Sequence, residues 1–322
     1  AALRAASYVV QGIKRREQRR NPAPPFITST LQQDAARKLG FSNRRTMSVA
    51  QQLYEGIDLG AEGTVGLITY MRTDSVRIAQ QAIDEARGFI AERWGKEYIP
   101  ATPRTFKSRK GAQDAHEAIR PTSVLRTPDQ VKSHLTPDQQ RLYRLIWDRF
   151  VACQMAPVVF DVTTVEILAG EYGLRAVGSV MKFAGFTVLY TEARDTAEDE
   201  ESATLPLLQR DQALRLVELL PRQHFTQPPP RYTEATLVKE MEEKGIGRPS
   251  TYAAIIGTIQ ERGYVVLEEK KFRPTELGRR VTEFLVKHFP DVMEVQFTAQ
   301  METELDEIEE GHAGWIEVVR SF

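Results

Sequence analysis

The sequence predicts a multidomain α+β protein, in which a helical domain is inserted into a β-rich domain and a winged-helix-like domain follows both. A chain of 322 residues has room for about two to four domains. Prolines cluster at residues 21–25, 156–157 and 227–230, where they mark borders between segments. Apolar residues recur with helical spacing before the second cluster and with a period near two after it.

These borders define the predicted domains. Residues 26–156 form the helical domain, and residues 1–25 and 157–228 form the β-rich domain, whose first half is incomplete. Residues 229–322 form the winged-helix-like domain, of which a part is present. This topology is the simplest one for the pattern, because both crossings between the first two domains then fall at prolines. The first residue is not Met, which indicates a cut into a larger protein.

Signals at helix ends define the helices of the helical domain. Thr28 or Ser29 is the predicted N-cap of a first helix, which Gly40 closes. Apolar side chains at helical spacing over residues 47–57 predict a second helix. Residues 136–139, Thr-Pro-Asp-Gln, form a capping box with proline at the first helical position, and they open a long helix.

The two other domains are predicted from period and turn signals. Residues 158–168 and 174–190 are rich in β-branched residues with glycine breaks, which predicts strands. Thr233 opens one helix and Ser250 caps a second, and residues 264–273 resemble a β-hairpin. This order of helix, turn, helix and hairpin is typical of a winged helix.

Residues 66–75, Gly-Leu-Ile-Thr-Tyr-Met-Arg-Thr-Asp-Ser, join an apolar run to polar and charged residues. Leu67 and Ile68 predict a buried strand, and Asp74 or Ser75 is the predicted N-cap of the next helix. The apolar positions of that helix are expected at Val76, Ala79, Ile83, Ala86 and Ile90.

Tyr70 and Arg72 are therefore expected where a strand ends and a helix begins, exposed but held by rigid neighbours. A phenol with a guanidinium two residues away is a plausible nucleophile for a phosphodiester, because the arginine can stabilise phenolate and phosphate charge together. On these two residues alone, packing and surface exposure explain the pair more often than catalysis does.

Residues His116 to Arg120 begin like the helix of a zinc protease, but Arg120 stands where the second histidine would be. The one cysteine of the chain, Cys153, lies in an apolar run and is expected to be a buried, inert thiol, so a zinc site is not predicted. A lone histidine is most often structural. Asp114 and Glu117 suggest a polar network that orients Arg120 or lets His116 donate to a phosphate.

Arg248, Ser250 and Thr251 are predicted at the start of a helix, after the turn Gly-Ile-Gly. Free N–H groups, the positive helix end, a guanidinium and two hydroxyls can together bind a phosphate. A capped helix with a flexible turn explains the same residues equally well.

Charge is unevenly distributed along a chain whose formal net charge is −1. This balance argues against a uniformly basic nucleic-acid binder. Basic residues 14–20 and 104–110 are candidates for phosphate contact, whereas acidic residues 192–201 and 302–310 are expected to face away from DNA. We find no Asp-x-Asp pair for Mg²⁺, no glycine-rich phosphate loop and no apolar run of membrane-spanning length.

Several segments resemble type IA DNA topoisomerases. Residues 66–75 closely resemble the active-site tyrosine motif of this family, and Tyr70 matches the tyrosine that forms the 5′-phosphotyrosine link. The resemblance continues, in family order, over residues 23–33, 113–122, 231–239, 245–252 and 297–301, which together span nearly the whole chain. Within the family, these residues are more similar to bacterial topoisomerase I than to topoisomerase III or reverse gyrase.

The resemblance implies an enzyme that cuts one DNA strand, passes the other through the break and reseals it without ATP, relaxing negative supercoils. Tyr70 and Arg72 would be catalytic. The residues implied to contact DNA are Arg72, His116, Arg120, Arg248, Ser250 and Thr251. The family architecture has a helical domain, which bears the tyrosine, hinged on a β-structured arch.

The resemblance also implies partners that this chain does not contain. Type IA enzymes hold Mg²⁺ and a general acid in an N-terminal Toprim domain, to which nothing here is similar, so no metal ligand is predicted in this chain. The expected partners are single-stranded and negatively supercoiled DNA and the protein's own Toprim domain, in a cytoplasmic, nucleoid-associated monomer. The chain alone is expected not to relax DNA. The alternative is a non-catalytic winged-helix DNA-binding or scaffold protein.

Overall fold

The structure is a computed structural model that describes residues 2–107, 116–192 and 204–321, and it combines α-helices with antiparallel β-sheets as predicted. The helices are α1 (Ala2–Ala5), α2 (Thr28–Asp34), α3 (Asn43–Glu55), α4 (Gln80–Trp94), α5 (Pro137–Cys153), α6 (Glu234–Glu243), α7 (Tyr252–Glu261), α8 (Glu276–His288), α9 (Pro290–Met293), α10 (Val295–Glu309) and α11 (Trp315–Ser321). The strands are β1 (Tyr8–Arg20), β2 (Ile57–Asp58), β3 (Thr64–Val65), β4 (Val158–Ala169), β5 (Tyr172–Phe183), β6 (Ala213–Leu214), β7 (Val265–Glu268) and β8 (Lys271–Pro274). No helix in the described ranges combines the length and apolar composition that crossing a membrane requires.

The largest sheet has the strand order β5-β4-β1-β6. Strand β1 pairs antiparallel with β4 along almost its whole length, from Tyr8 opposite Ala169 to Arg20 opposite Val158. The intervening residues 21–157 therefore leave the sheet and return to it at two adjacent strand ends.

The main hydrophobic core lies among α2, α3, α4 and α5. Leu31, Leu53, Ile90 and Ile146 come from these four helices, and each has no exposed surface. Burying such a side chain contributes about 1.5–3 kcal/mol to the hydrophobic free energy of folding. Helix α5 begins with the predicted capping box, in which the Thr136 hydroxyl accepts from the Gln139 N–H at 3.3 Å.

The start of α2 differs from the prediction, because Ile27 is its N-cap and Thr28 lies inside the first turn. The Thr28 hydroxyl is engaged elsewhere: it donates to the Met71 carbonyl at 2.7 Å and accepts from the Thr73 N–H at 2.9 Å. A tertiary contact has thus taken over a side chain whose local preference is to cap. The helix continues as a π-helical segment, Ala35–Leu39, and Gly40 at φ 68° ends it as predicted.

The prediction that a strand leads directly into a helix over residues 66–80 is wrong. Leu67 and Ile68 are buried, but Ile68 forms only an isolated bridge with Pro121, and α4 begins at Gln80. Neither Asp74 nor Ser75 caps that helix, and Val76 and Ala79 precede it. The reason is local: the Thr73 hydroxyl accepts from the Ser75 N–H at 3.0 Å and the Ser75 hydroxyl from the Arg77 N–H at 3.2 Å. These turns replace the first helical turn.

Helices α6 and α7 and the hairpin β7–β8 follow in the predicted order and form a second small core. Thr233 caps α6 as predicted, with its hydroxyl accepting from the Thr236 N–H at 3.2 Å. Helix α7 begins one residue later than expected, because its N-cap is Thr251 and Ser250 precedes it.

Candidate active site and nucleic-acid interface

A cleft of about 280 Å³ brings together most of the predicted site residues. Tyr70, Arg72 and His116 reach it from the part of the chain between β1 and β4, and Arg248 and Ser250 reach it from the turn before α7. The remaining lining residues are Thr73, Asp74, Pro249, Asp306, Glu309 and Glu310.

Hydrogen bonds on both sides fix the backbone at Tyr70. The Thr69 N–H donates to the Arg120 carbonyl at 2.9 Å, and the Thr69 hydroxyl donates to the Ala118 carbonyl at 2.7 Å. On the other side, the Met71 carbonyl accepts from the Thr28 hydroxyl at 2.7 Å, and Met71 is 1% exposed, whereas Tyr70 is 42% exposed. The phenol is therefore accessible to a ligand while the chain that carries it is held by packed neighbours.

The C-terminal end of α3 supports the same segment. The Leu67 N–H donates to the Leu53 carbonyl at 2.8 Å. A Cβ on Gly66 would lie 2.6 Å from the Tyr54 carbonyl oxygen, so only glycine permits this close approach. The Tyr54 ring meets the Tyr70 ring edge to face, with centroids 5.3 Å apart and planes at 65°. Sequence reasoning counted Tyr54 only as part of an apolar stripe and missed this contact.

Arg72 is exposed at the cleft and makes no hydrogen bond or ion pair with any residue in the described ranges. Its neighbours are fixed, because the Thr28 N–H donates to the Thr73 carbonyl at 2.9 Å and the Thr28 hydroxyl binds both Met71 and Thr73. The guanidinium can thus bind an anion beside the Tyr70 phenol without first breaking a protein contact.

Asp74 is a cleft residue for which the sequence suggested only a capping role. Burial raises the pKa of its carboxyl group above the usual value, and the charge of Asp306 acts in the same direction. A hydrogen bond to its own backbone and the charges of His116 and Arg248 act in the opposite direction but are outweighed. The cleft therefore contains a carboxyl group that keeps its proton to a higher pH than an exposed aspartate does.

The structure separates His116 from Arg120. His116 lines the cleft, whereas the Arg120 side chain is 12% exposed and pairs with Glu117 at 2.7 Å. Arg120 also donates to the Pro121 carbonyl at 3.0 Å, so its guanidinium is engaged in hydrogen bonds within the protein. Asp114, the other expected member of this network, lies outside the described residues.

Arg248 lies in the cleft but is held by acidic residues of α10. Its Nε and NH2 groups donate to both carboxylate oxygens of Asp306 at 2.6–3.1 Å, and its NH1 lies 3.8 Å from Glu302. Burial alone would lower the pKa of the guanidinium, but hydrogen bonding and the charge of Asp306 outweigh it and raise the pKa. Asp306 therefore lies at the cleft because it pairs with Arg248, and the expectation that residues 302–310 face away from DNA stays a prediction.

The two hydroxyls next to Arg248 have different surroundings. Ser250 is exposed and lines the cleft. The Thr251 hydroxyl accepts from the Arg248 N–H at 2.8 Å and donates to the Arg248 carbonyl at 3.2 Å, so it stabilises the turn. Of the predicted site residues, Arg120 and Thr251 are therefore the two that do not line the cleft.

Arg104, Lys14 and Cys153, which the sequence also singled out, contact other parts of the protein or are buried in it. Arg104 donates to the Met155 carbonyl at 3.1 Å and to Asn21 at 3.1 Å, which ties separate segments together. Lys14 pairs with Glu166 across the sheet at 2.9 Å. Cys153 is fully buried as predicted, and burial raises the pKa of its thiol to about 12. Residues 108–110 and 193–201 lie outside the described part of the chain.

The described side chains of the cleft are not arranged to bind a metal ion. Within the described ranges, no group of three or more His, Cys, Asp or Glu side chains is placed to hold one. Both oxygens of Asp306 already accept from Arg248, so this carboxylate is not free to be a ligand. The described residues of the cleft therefore do not form a Mg²⁺ site, and the family resemblance implies Mg²⁺ ligands in a Toprim domain rather than in this cleft.

Comparison with known proteins identifies the family of this chain. A family model described as DNA topoisomerase matches residues 1–320. The chain belongs to the bacterial type IA DNA topoisomerase family. Among solved type IA enzymes, it is similar to full-length topoisomerase I from Thermotoga maritima, in a monoclinic crystal form, with 40% sequence identity and a TM-score of 0.84. The match covers 98% of this chain and 51% of that one, so the chain spans about half the length of that topoisomerase I.

Proposed function

We propose that this chain is the nucleophile-bearing core of a type IA topoisomerase that cuts single-stranded DNA through Tyr70. The observation that carries the proposal is the cleft, which unites an exposed phenol and the Arg72 guanidinium, for which no described residue is a partner, with His116, Arg248 and Ser250. These groups come from distant parts of the sequence, and each can contact a phosphodiester. Family membership makes DNA the substrate class that this arrangement fits best.

In the proposed reaction, the Tyr70 oxygen attacks the phosphorus of one phosphodiester. The phenol gives up its proton as its oxygen bonds to phosphorus, the bond from phosphorus to the 3′ oxygen breaks, and the 3′ oxygen leaves with a proton that we expect a general acid of a Toprim domain to supply. The 5′ phosphate stays on Tyr70. Attack by the 3′ hydroxyl reverses the step, so the bond energy is conserved and ATP is not required. Arg72 stabilises the negative charge on the phosphate in the transition state.

The predicted domains provide a mechanism for strand passage. Residues 26–156 would move as a helical gate on the β-rich arch of residues 1–25 and 157–228, and residues 229–322 would act as a winged-helix-like DNA-binding domain. The pairing of Arg20 with Val158 supports this division, because it places both connections to the gate side by side. Opening of the gate would let a second strand through and relax negative supercoils.

The complete enzyme would need groups beyond those described here. We expect a Toprim domain to bring the Mg²⁺ ligands and the general acid, and DNA to be single-stranded at the point of cleavage. We expect a monomer that acts on the nucleoid in the cytoplasm. Arg120 and Thr251, which lie outside the cleft, would support the DNA-binding residues, because the Arg120 carbonyl accepts from the Thr69 N–H and the Thr251 hydroxyl accepts from the Arg248 N–H.

Covalent trapping tests the proposal. The complete enzyme, incubated with single-stranded DNA and Mg²⁺ and then denatured, should keep DNA attached to the protein. Tyr70→Phe should abolish the adduct and leave DNA binding nearly intact, because only the attacking oxygen is lost. Tyr54→Phe, which removes a hydroxyl from the neighbouring ring, is the matched control. Adduct formation by Tyr70→Phe would contradict the assignment of Tyr70 as the nucleophile. DNA binding by the wild-type enzyme without any adduct would favour the non-catalytic alternative.

A further inference from the structure

The guanidinium of Arg248 has almost no donor left for a ligand. It has five N–H donors. NH1 donates to the carbonyls of Gly245 and Gly247 at 3.2 and 2.9 Å, and Nε and NH2 donate to Asp306. One NH2 hydrogen remains. A two-pronged contact with a phosphate therefore requires Arg248 to release Asp306 first.

The backbone of the same turn is occupied as well. The Gly247 N–H donates to a carboxylate oxygen of Glu302 at 3.0 Å. The neighbouring N–H groups are occupied too, because the Ile246 N–H donates to the Met241 carbonyl and the Arg248 N–H donates to the Thr251 hydroxyl, each at 2.8 Å. Glu302 and Asp306 lie one helical turn apart on α10, which lets both carboxylates reach this turn together.

Asp306 lies where the proposed function places a DNA strand. Asp306 lines the cleft that contains Tyr70 and Arg72, and Glu309 and Glu310 line it beyond Asp306. A phosphate that approaches Arg248 would meet like charge, which is repulsive unless the carboxylates withdraw.

We propose that Asp306, assisted by Glu302, occupies the phosphate position at Arg248 in the DNA-free protein and that a DNA phosphate displaces it on binding. The proposal rests on the proposed function, since it takes single-stranded DNA as the ligand. Asp306 then lowers DNA affinity, and DNA binding frees α10 from the turn at residues 245–248. The Asp306 carboxylate would compete with DNA for Arg248, because it is negatively charged like a phosphate and accepts from the guanidinium with two oxygens.

Removal of the competing charge should strengthen binding. In the 322-residue chain, Asp306→Asn should bind a fluorescent single-stranded oligonucleotide about three- to tenfold more tightly at low salt, the scale of one partly exposed bidentate ion pair. Glu307→Gln is the matched control, because it removes the same charge from an exposed neighbour on α10 that does not line the cleft. This control should change affinity by less than about twofold.

A second pair of variants tests whether the gain acts through Arg248. Arg248→Ala should weaken binding, and Asp306→Asn added to Arg248→Ala should give no more gain than Glu307→Gln. A gain of equal size in both backgrounds would overturn the proposal, because it would reflect general repulsion. If Arg248→Ala weakens binding but Asp306→Asn changes DNA affinity no more than Glu307→Gln does, the proposal that Asp306 competes with DNA is contradicted while the proposed function stands. If no variant binds DNA, both are contradicted.

The fold of each variant is checked by its thermal unfolding midpoint. Glu302→Gln provides a second route if Asp306→Asn unfolds, since it removes the charge near the Gly247 N–H and should strengthen binding in the same direction by a smaller factor. Weaker binding by a folded Glu302→Gln or Asp306→Asn variant would show that the carboxylates position Arg248 for DNA, which is the opposite of the proposal.

Discussion

At the scale of single residues, the cleft places an exposed phenol beside a guanidinium that no described residue engages. Tyr70 and Arg72 are adjacent to Met71 and Thr73, whose backbones are bound to Thr28. The side chains are therefore free to meet a ligand while their Cα positions are fixed. This combination favours a reaction in which geometry is set before the substrate arrives.

The first prediction concerns Arg72. Arg72→Lys keeps the charge but loses the planar two-pronged donor. In the complete enzyme, cleavage at saturating DNA should slow by about ten- to hundredfold, while DNA affinity changes less, because the lost contact matters most in the transition state. Single-turnover adduct formation measures the rate. Arg93→Lys, an exposed position on α4, is the control, and an unchanged rate for Arg72→Lys would refute the assigned role.

The second prediction concerns the ring that supports Tyr70. Tyr54→Leu removes the edge-to-face contact, which contributes about 0.5–1.5 kcal/mol, and should slow cleavage by about two- to tenfold. Tyr54→Phe keeps the ring and should behave like the wild type. The same single-turnover assay applies, with the unfolding midpoint of both variants as a check. Equal slowing by Phe and Leu would mean that the Tyr54 hydroxyl, and not the ring, supports Tyr70.

At the scale of secondary-structure elements, α5 carries an aspartate, Asp148, whose burial disfavours the charged form of its carboxyl group. Asp148 is partly buried near Arg144 and Lys38, yet burial outweighs these cations and raises the pKa of its carboxyl group to about 7. The pKa in an unfolded chain is about 3.9. The folded protein therefore binds this proton more tightly than the unfolded one.

The third prediction follows from that sign. The contribution of Asp148 to the free energy of unfolding should decrease as pH rises from about 4 to about 7, and it should level off above that range. Asp148→Asn should therefore be more stable than the wild type at about pH 8, with a smaller difference between pH 5 and pH 8 in thermal unfolding. Asp291→Asn, an exposed control, should follow the wild type. Parallel pH curves for wild type and Asp148→Asn would contradict the role of burial.

The elements that the sequence predicts well are those with local signals. The capping box at Thr136, the helix end at Gly40 and the cap at Thr233 each depend on residues within one turn, and each is found as predicted. The start of α4 was missed because Thr73 and Ser75 form turns whose hydroxyls accept from backbone N–H groups. A capping residue and a turn residue have the same chemistry, so the pattern alone does not separate them.

The candidate site was predicted only in part for a similar reason. Tyr70, Arg72 and Arg248 lie in motifs that can be read locally. The contact of Arg248 with Asp306 joins residues from separate elements, and the Tyr54 ring contacts the Tyr70 ring where Gly66 allows the chain to approach α3 closely. Such contacts depend on tertiary packing, and no single-sequence pattern encodes them.

At the scale of the whole molecule, the chain spans about half the length of the Thermotoga maritima topoisomerase I to which it is similar. The fourth prediction is that the purified 322-residue chain does not relax negatively supercoiled plasmid in the presence of Mg²⁺. The physical reason is that the leaving oxygen needs a proton donor and the phosphate needs further charge stabilisation, which we expect from a Toprim domain. Gel electrophoresis of the plasmid is the measurement.

The complementary experiment adds a Toprim domain to the chain, fused or as a separate protein. Relaxation should then appear if the interface between the two can form, and it should again require Tyr70. Robust Mg²⁺-dependent relaxation by the chain alone would show that the catalytic metal site lies within this chain.

The long pairing of β1 with β4 also determines how this protein can fold. Strands β4 and β5 meet through a tight turn, whereas β1 reaches β4 only after residues 21–157 have closed a loop, at an entropy cost on the order of 4 kcal/mol for a flexible chain. Folding of the intervening helices lowers this cost, because their compact form already brings Arg20 and Val158 together. Stability of the helical core and completion of the sheet are therefore coupled, and substitutions that loosen α2–α5 will weaken β1 pairing although they lie outside the sheet.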